Sequence, residues 1–169
     1  MYIKALILSF LLIGCGYKPT SNYVSKQVNG NVFVETKIDI ENSQTSVLLK
    51  NMLNNTLINN LNINIVNNKL LADTIMNIEL KDVKSKALQT SKDGYSLIYR
   101  VTVIIEVSYY KRHKKNTKRT TILLKDYADY IVDDDSKVTQ ENKTEAINTA
   151  SKKAINSLLQ KISKEEFRR

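Results

Sequence analysis

Apolar and polar residues alternate along four stretches of this chain, which is the pattern that half-buried β-strands produce. These stretches cover residues 32–40, 73–88, 95–109 and 122–132. In the first stretch, the residues that share the expected inward face are Val32, Val34, Ile38 and Ile40. The third stretch is the most regular, because every second residue from Tyr95 to Tyr109 is aliphatic or aromatic. The pattern therefore predicts a sheet with unusually long strands.

The second strand changes phase partway along its length. The apolar residues from Met76 to Leu80 share one face, whereas the next apolar residue, Val83, has the opposite parity. One extra residue between the two sets restores a common face, so a β-bulge is predicted around residues 81–83. The sequence Ser-Lys-Asp-Gly at residues 91–94 then predicts a hairpin turn into the third strand.

Two further stretches have helical spacing. The first begins at a cap, Ser43 or Thr45, and is expected to end near Leu61, because an Asn-rich segment over residues 54–68 weakens helix formation. Its predicted buried stripe is Val47, Leu48, Met52, Leu57, Ile58 and Leu61. The second helix is predicted over residues 139–163, with the buried stripe Ile147, Ala150, Ala154, Leu158 and Ile162.

The order of elements implies the fold class. Both helix stripes are buried most simply against one face of the sheet, which predicts an α/β (α+β) two-layer sandwich. It has a four-stranded, mostly antiparallel sheet with two helices on one face, in the order β-α-β-β-β-α. The other face keeps four apolar or aromatic residues among polar ones: Ile98, Ile104, Tyr110 and Tyr127. Such a face fits either a partner surface or the scattered apolar residues found on most proteins.

The first fifteen residues have the pattern of an export signal. Residues 5–13 are apolar except for Ser9, a run too short for a transmembrane helix of about 20 residues. The run ends in Gly14 and Cys15, as a bacterial lipoprotein signal does, because the Cys thiol receives a diacylglyceryl group and cleavage frees its amine for another acyl chain.

This signal divides the chain into three parts. We predict a cleaved signal peptide over residues 1–14, a lipidated Cys15 with a flexible tether over residues 15–30, and a single α/β sandwich domain over residues 31–169. Gly16, rather than Asp, follows the Cys, which favours the outer over the inner membrane.

The distribution of basic residues indicates a candidate binding surface. The chain has 169 residues and a formal net charge of +9. Part of this charge is equally explained by an AT-rich genome, because its codons favour Lys. A predicted hairpin loop concentrates six cations: Lys111, Arg112, Lys114, Lys115, Lys118 and Arg119. Such a loop fits lipid phosphates or a partner, or simply a solubilising hairpin end. The export signal argues against nucleic acid.

Catalytic chemistry finds no support in the sequence. There is one His and one Cys, which leaves no His/Cys cluster for a metal and no intrachain disulfide. His113 has no evident nucleophile or orienting partner in the sequence, and no phosphate-binding Gly-rich motif or calcium loop occurs. We therefore expect no enzyme, no metal and no cofactor beyond the acyl and diacylglycerol groups on Cys15.

Several short motifs, in their order and spacing, resemble the LPS-assembly lipoprotein LptE family. Cys-Gly-Tyr at residues 15–17 is similar to the family's lipidated start. Val-Phe-Val-Glu at residues 32–35 opens the first strand, and Asp-Gly-Tyr at residues 93–95 precedes the long third strand, as in the family. The resemblance covers essentially the whole mature chain.

The resemblance implies a function, partners and two site residues. Family members are outer-membrane lipoproteins that plug the β-barrel protein LptD, help assemble it and bind lipopolysaccharide on its way to the outer leaflet. By position, the family's LPS-contacting basic residues correspond to Lys92 and Lys137. Strand direction puts both at one end of the sheet, although the acidic residues 133–135 beside Lys137 oppose an anionic ligand.

A lipid-binding carrier lipoprotein that faces the periplasm without a stable barrel partner is the alternative. A carrier needs an enclosed apolar pocket, whereas a plug needs a filled core and a polar exterior. The small residues Ala150 and Ala154 favour close helix–sheet packing, and therefore the plug.

Overall fold

The computed structural model describes residues 24, 27–38, 43–90, 92, 96–113, 118–132 and 135–167. The strands are β1 (Asn31–Lys37), β2 (Asn64–Ile65), β3 (Thr74–Thr90), β4 (Ser96–Lys111) and β5 (Thr120–Ile131). The helices are α1 (Ser43–Leu61), α2 (Ser136–Asn156) and α3 (Leu158–Phe167), and Lys69–Leu71 form a 3₁₀ turn. The mixed α+β class predicted from the sequence is confirmed.

The sheet has five strands in the described residues, in the order β2-β1-β3-β4-β5, so the prediction of four strands was wrong. β1 lies inside the sheet and runs parallel to both β2 and β3, whereas β3, β4 and β5 are antiparallel in turn. Strand β2, which was not predicted, has only two residues, and these are too few to show an alternating pattern. It is held in place partly by Asn64 Nδ2, which donates to Asn31 Oδ1 at 2.7 Å.

The predicted bulge in β3 is confirmed. Leu80 pairs with Ile105, but the next pair is Asp82 with Ile104, so one residue of β3 is extra at this point. Beyond it Val83 pairs with Val103, which is fully buried, and Val83 packs against the core. Of the turn predicted at residues 91–94, only Lys92 is among the described residues, and the antiparallel pairing on either side agrees with a hairpin.

The inward faces of the strands agree with the alternation except at the end of β1 and at the start of β4, where Leu97 is 40% exposed. Ile38 is 59% exposed, because β1 ends at Lys37 and Ile38 has no neighbouring strand to align it with the core. Ile40 lies outside the described residues. Most predicted inward positions of the other strands are buried: Met76, Ile78, Leu80, Val101, Val103, Ile105, Val107, Tyr109, Ile122, Leu124 and Ala128. Val83, Tyr99 and Tyr130 are half-buried.

The buried stripe of α1 differs from the predicted one. Leu49, Leu53 and Leu57 are fully buried, whereas Val47 is 48% exposed and Ile58 is 46% exposed. The helix offers two overlapping apolar stripes, and packing against β1, β3 and α2 selects the one with leucines four residues apart. Of the other predicted residues, Leu57 is buried and Leu48 is half-buried, while Met52 and Leu61 are partly buried and pack against the core.

The C-terminal helix is broken in two. α2 begins at the N-cap Asp135, whose Oδ1 accepts from the backbone N–H of Lys137 at 2.8 Å. It ends at Ser157, whose hydroxyl donates to the carbonyl of Ala154 at 2.7 Å, and α3 continues from Leu158. The predicted buried stripe is confirmed across both helices: Ile147, Ala150, Ala154, Leu158 and Ile162.

The packed core begins before residue 31. Val24 and Val28 are fully buried, and the Val28 N–H donates to the Val24 carbonyl at 2.8 Å. Both belong to the same apolar cluster as the helices and the sheet. The described part of the segment predicted to be a flexible tether, residues 15–30, is therefore tied to the domain, because its valines complete the core.

We predict that Leu53→Ala lowers the free energy of unfolding by about 2–5 kcal/mol, since it leaves a cavity among fully buried side chains. The matched variant Val47→Ala, on the half-exposed side of the same helix, should cost less than about 1 kcal/mol. Urea unfolding followed by circular dichroism measures both. Equal costs would contradict the observed helix phase.

Candidate functional site

The basic residues predicted to act lie at opposite ends of the sheet. One end, here the basic end, contains the start of β1, β3 and β5 and the end of β4, where Thr74 pairs with Lys111 and Tyr109 with Thr120. The other, the far end, is where Thr90 pairs with Ser96 and β5 finishes.

Lys92 and Lys137 both lie at the far end, as strand direction predicted. Lys92 follows β3 in the hairpin to β4, and Lys137 follows β5 as an early residue of α2. Both side chains are exposed. Asp135 uses a carboxylate oxygen to cap α2, so part of this acidic group stabilises the helix; residues 133 and 134 lie outside the described residues.

At the basic end, two of the six predicted loop cations hold the local structure together. The Arg112 guanidinium donates through Nη1 to the carbonyls of Lys69 and Leu70, and the Arg112 N–H donates to the Asp73 carbonyl at 2.8 Å. Lys111 Nζ donates to Asn29 Oδ1 at 3.1 Å. These two side chains therefore join the end of β4 to the 3₁₀ turn and the N-terminal segment.

The other described loop cations are more open. Lys118 and Arg119 are exposed, and the Arg119 guanidinium lies 5.1 Å from the centre of the Tyr110 ring, within the range of a cation–π interaction. Lys114 and Lys115 lie outside the described residues.

Lys69 is a further basic residue at this end, which no sequence pattern indicated. Its Nζ lies 2.9 Å from a carboxylate oxygen of Glu35 on β1. The hydrogen bond to Glu35 raises the pKa of Lys69, while burial and the nearby charge of Arg119 act in the opposite direction. No alternating or helical pattern contains Lys69, so no periodic signal marked it.

Asp73 fixes the point where the chain joins the sheet. Its Oδ2 accepts from the Asn31 N–H at 2.8 Å, and its own N–H donates to the Asn31 carbonyl at 2.8 Å. Gly30, with φ +73°, sits against it, and a Cβ on Gly30 would lie 2.3 Å from Asp73 Oδ2. Glycine is needed here both for the positive φ and for this close approach.

The sheet face away from the helices carries ion pairs. Lys37 and Lys81 lie 3.2 and 3.4 Å from Glu79 Oε1. Burial favours the protonated form of Glu79, but the hydrogen bonds from both lysines outweigh it and lower the pKa of this carboxyl. The pairs thus let an acidic residue sit on a partly apolar sheet face.

A second pair joins β4 to β5 on the same face. Arg100 binds Asp129 at 2.7 Å, and this hydrogen bond lowers the pKa of Asp129 despite some desolvation. The Arg100 guanidinium also lies 3.9 Å from the centre of the Tyr127 ring. Tyr127 is 47% exposed, and Ile98, Ile104 and Tyr110 are half-buried, so this face is partly apolar as predicted.

The model of a family described as LptE, lipopolysaccharide-assembly, matches residues 33–162, which is most of the chain. The chain belongs to the LptE family. Family membership makes it an LPS-assembly lipoprotein, of a family that is non-enzymatic, and indicates a place in the cell envelope. No curated protein matches the chain significantly.

Solved lipoproteins have the same fold as this LptE-family protein. Rare lipoprotein B from Shewanella oneidensis aligns with a TM-score of 0.57 and 14% identity, over 82% of this chain and 98% of that one. A putative lipoprotein from Caulobacter crescentus aligns with a TM-score of 0.54 and 7% identity, over 86% and 93% of the two chains. At these identities the likeness concerns the fold alone.

The outer edge of the sheet is covered in this LptE-family protein. Three carbonyls of β5 accept hydrogen bonds from α2 and α3: Leu123 from Lys161 at 2.7 Å, Tyr127 from Lys153 at 3.2 Å and Ile131 from Asn142 at 3.1 Å. These donors occupy backbone groups that another strand would need, so they protect the edge from pairing.

Three grooves of roughly 300–400 Å³ are open to solvent in the described part of the protein. The one between α1 and α2 is lined mostly by polar residues, among them Asn55, Asn59 and Lys152. Within the described residues, no group of three or more His, Cys, Asp or Glu side chains is placed to hold a metal ion. None of the described helices is long and apolar enough to cross a bilayer.

We predict that the stability of this LptE-family protein falls as pH drops below about 4.3, the ordinary Glu pKa, partly because Glu79 becomes protonated. A lowered folded-state pKa adds stability above the unfolded-state value and loses it as pH falls through the folded-state value. In Glu79→Gln, the fall between neutral and acid pH should be smaller by up to about 1 kcal/mol.

Urea unfolding at a series of pH values measures this difference. Glu141→Gln, a change at an exposed position of α2, is the control and should keep the wild-type pH dependence. An unchanged acid profile in Glu79→Gln would contradict the stabilising role of Lys37 and Lys81.

Proposed function

We propose that this protein is an outer-membrane lipoprotein that plugs and helps assemble the LPS-translocation barrel LptD, and assists delivery of lipopolysaccharide to the outer leaflet. The observation that carries the proposal is the LptE family match across residues 33–162. The export signal and Cys15 support attachment through acyl and diacylglyceryl chains after cleavage of residues 1–14.

The packing supports a plug over a carrier. A plug must keep its own shape inside a lumen and present polar groups to a wet barrel wall. Here the helices fill one face of the sheet with fully buried side chains, among them Leu53, Ile105 and Leu158. The carrier alternative needs an enclosed apolar cavity, whereas the described grooves are open and partly polar.

The covered edge of β5 is also compatible with a position inside a β-barrel. A barrel precursor exposes strand edges while it assembles, and an open edge on the plug would compete for them. Lys153, Lys161 and Asn142 occupy the carbonyls of β5 that such pairing would use. The partner is then engaged through side chains, as a lumen-filling role requires.

Lipopolysaccharide would bind at the far end, through Lys92 and Lys137. Its phosphates are anionic, and both lysines are exposed at the same end of the sheet. Divalent ions bridging Asp133–Asp135 to the phosphates would offset the repulsion of these acidic residues.

We predict that the protein, purified in detergent from cells, brings LptD with it in roughly equal amount. A Cys15→Ser variant should not incorporate labelled palmitate and should no longer fractionate with the outer membrane, because the acyl chains supply the anchor. Palmitate incorporation and quantitative immunoblotting measure the two effects. Recovery of the lipidated protein without a large barrel would contradict the plug.

We predict that Lys92→Glu combined with Lys137→Glu weakens binding of lipopolysaccharide about tenfold, the loss expected for charge-assisted contacts of about 1.4 kcal/mol in total. Binding is measured by displacement of a fluorescent lipid A probe. Lys152→Glu, at an exposed position of α2 away from the far end, is the matched charge reversal and should bind as the wild type does. Equal losses would show that only net charge matters.

A further inference from the structure

Two adjacent leucines at the basic end of the sheet are exposed to solvent. Leu70 is 71% exposed and Leu71 is 62% exposed, in the 3₁₀ turn between β2 and β3. Isolated exposed leucines are ordinary, but two neighbours at the tip of one turn form a small projecting apolar surface.

The backbone of this turn is held firmly although its side chains are not covered. The Leu70 N–H donates to Asn68 Oδ1 at 2.9 Å, and the Leu70 carbonyl accepts from Arg112. The Leu71 N–H donates to the Asn68 carbonyl at 3.0 Å, and its own carbonyl accepts from Asn31 Nδ2 at 3.3 Å. These bonds fix the leucines in their outward position.

Several cations lie at the same end of the sheet as the leucines. Lys69 precedes them in the turn, the Arg112 guanidinium binds the Leu70 carbonyl, and Arg119 lies near enough to Lys69 to affect its pKa. Lys118 is exposed beside Arg119. Of the nearby carboxylates, Glu35 is paired with Lys69 and Asp73 accepts from the Asn31 N–H, while Glu79 and Glu106 line a groove together with Arg119. The surface therefore combines an apolar tip with an excess of positive charge.

We infer that Leu70, Leu71 and the cations beside them form a contact surface for a bilayer leaflet that contains anionic phospholipids. The leucine tip enters the boundary between headgroups and acyl chains, while Lys118 and Arg119 pair with lipid phosphates. This combination of a short apolar projection and flanking cations is how proteins bind a membrane surface without crossing it. The surface lies at the opposite end of the sheet from Lys92 and Lys137.

The path of the chain agrees with this orientation. β1 begins at the basic end, and Cys15 precedes the buried Val24 by nine residues, about 30 Å when fully extended. A lipid on Cys15 would thus keep the leucines within reach of the membrane. This point rests on the proposed function, whereas the leucine and charge arguments do not.

The chain contains no Trp, so a single Leu70→Trp substitution reports the surroundings of this position alone. The full chain carrying it is mixed with vesicles of phosphatidylcholine containing brominated acyl chains, with or without phosphatidylglycerol. With phosphatidylglycerol, we expect a blue-shifted emission and quenching at least about twofold stronger than without it. Leu97→Trp, at the half-exposed start of β4 near the far end, is the matched control and should show neither effect.

A charge variant tests the cations separately. Adding Lys118→Ser and Arg119→Ser to Leu70→Trp should raise the lipid concentration for half-maximal quenching about thirtyfold, as the loss of two surface cations predicts. Adding Lys152→Ser and Lys164→Ser, which removes two exposed cations from the helices, should leave it unchanged.

Several results would overturn the inference. They are equal quenching with and without phosphatidylglycerol, an emission shift caused by inorganic phosphate alone, and a Trp at position 70 that is already shielded before vesicles are added. The last result would mean that other residues of the chain cover the leucines. Failure to recover LptD would leave the quenching intact, so the two proposals fail independently.

Discussion

The antiparallel ladder between β3 and β4 is the interaction on which the rest of this structure depends. It joins residues 74–90 to residues 96–111 and so determines the length of the sheet. The bulge after Leu80 keeps the apolar residues of both halves of β3 on the helix side despite their change of parity. Without this extra residue, either Met76 or Val83 would face away from the helices.

The same ladder separates the charged ends of the molecule. Because β3 and β4 are long, Lys92 and Arg112 lie at opposite ends of the sheet, too far apart to act on one small ligand. At the basic end, part of the charge is used internally, since Arg112 and Lys111 bind the 3₁₀ turn and Asn29. Net charge alone therefore overstates how many cations remain available to a partner.

Ion pairs on the open face and hydrogen bonds along the β5 edge stabilise a sheet that the helices cover on one face only. Glu79 and Asp129 are neutralised by cations on the same face, which limits the desolvation cost when that face meets another surface. Lys153 and Lys161 cover carbonyls of the edge strand β5 from the helix side. Both devices favour contacts made through side chains, which the proposed docking against another polypeptide requires.

The sequence by itself determined the long strands, the bulge and the stripe of the C-terminal helices, because side-chain alternation and helical spacing are local properties of the backbone. It also placed the chain in its family. Only the tertiary structure decided which of two apolar stripes of α1 is buried, since Leu53 and Ile58 differ in their neighbours and not in their hydrophobicity. Likewise β2, the buried Val24 and the exposed Leu70 follow from contacts between residues distant in sequence, which no local pattern encodes.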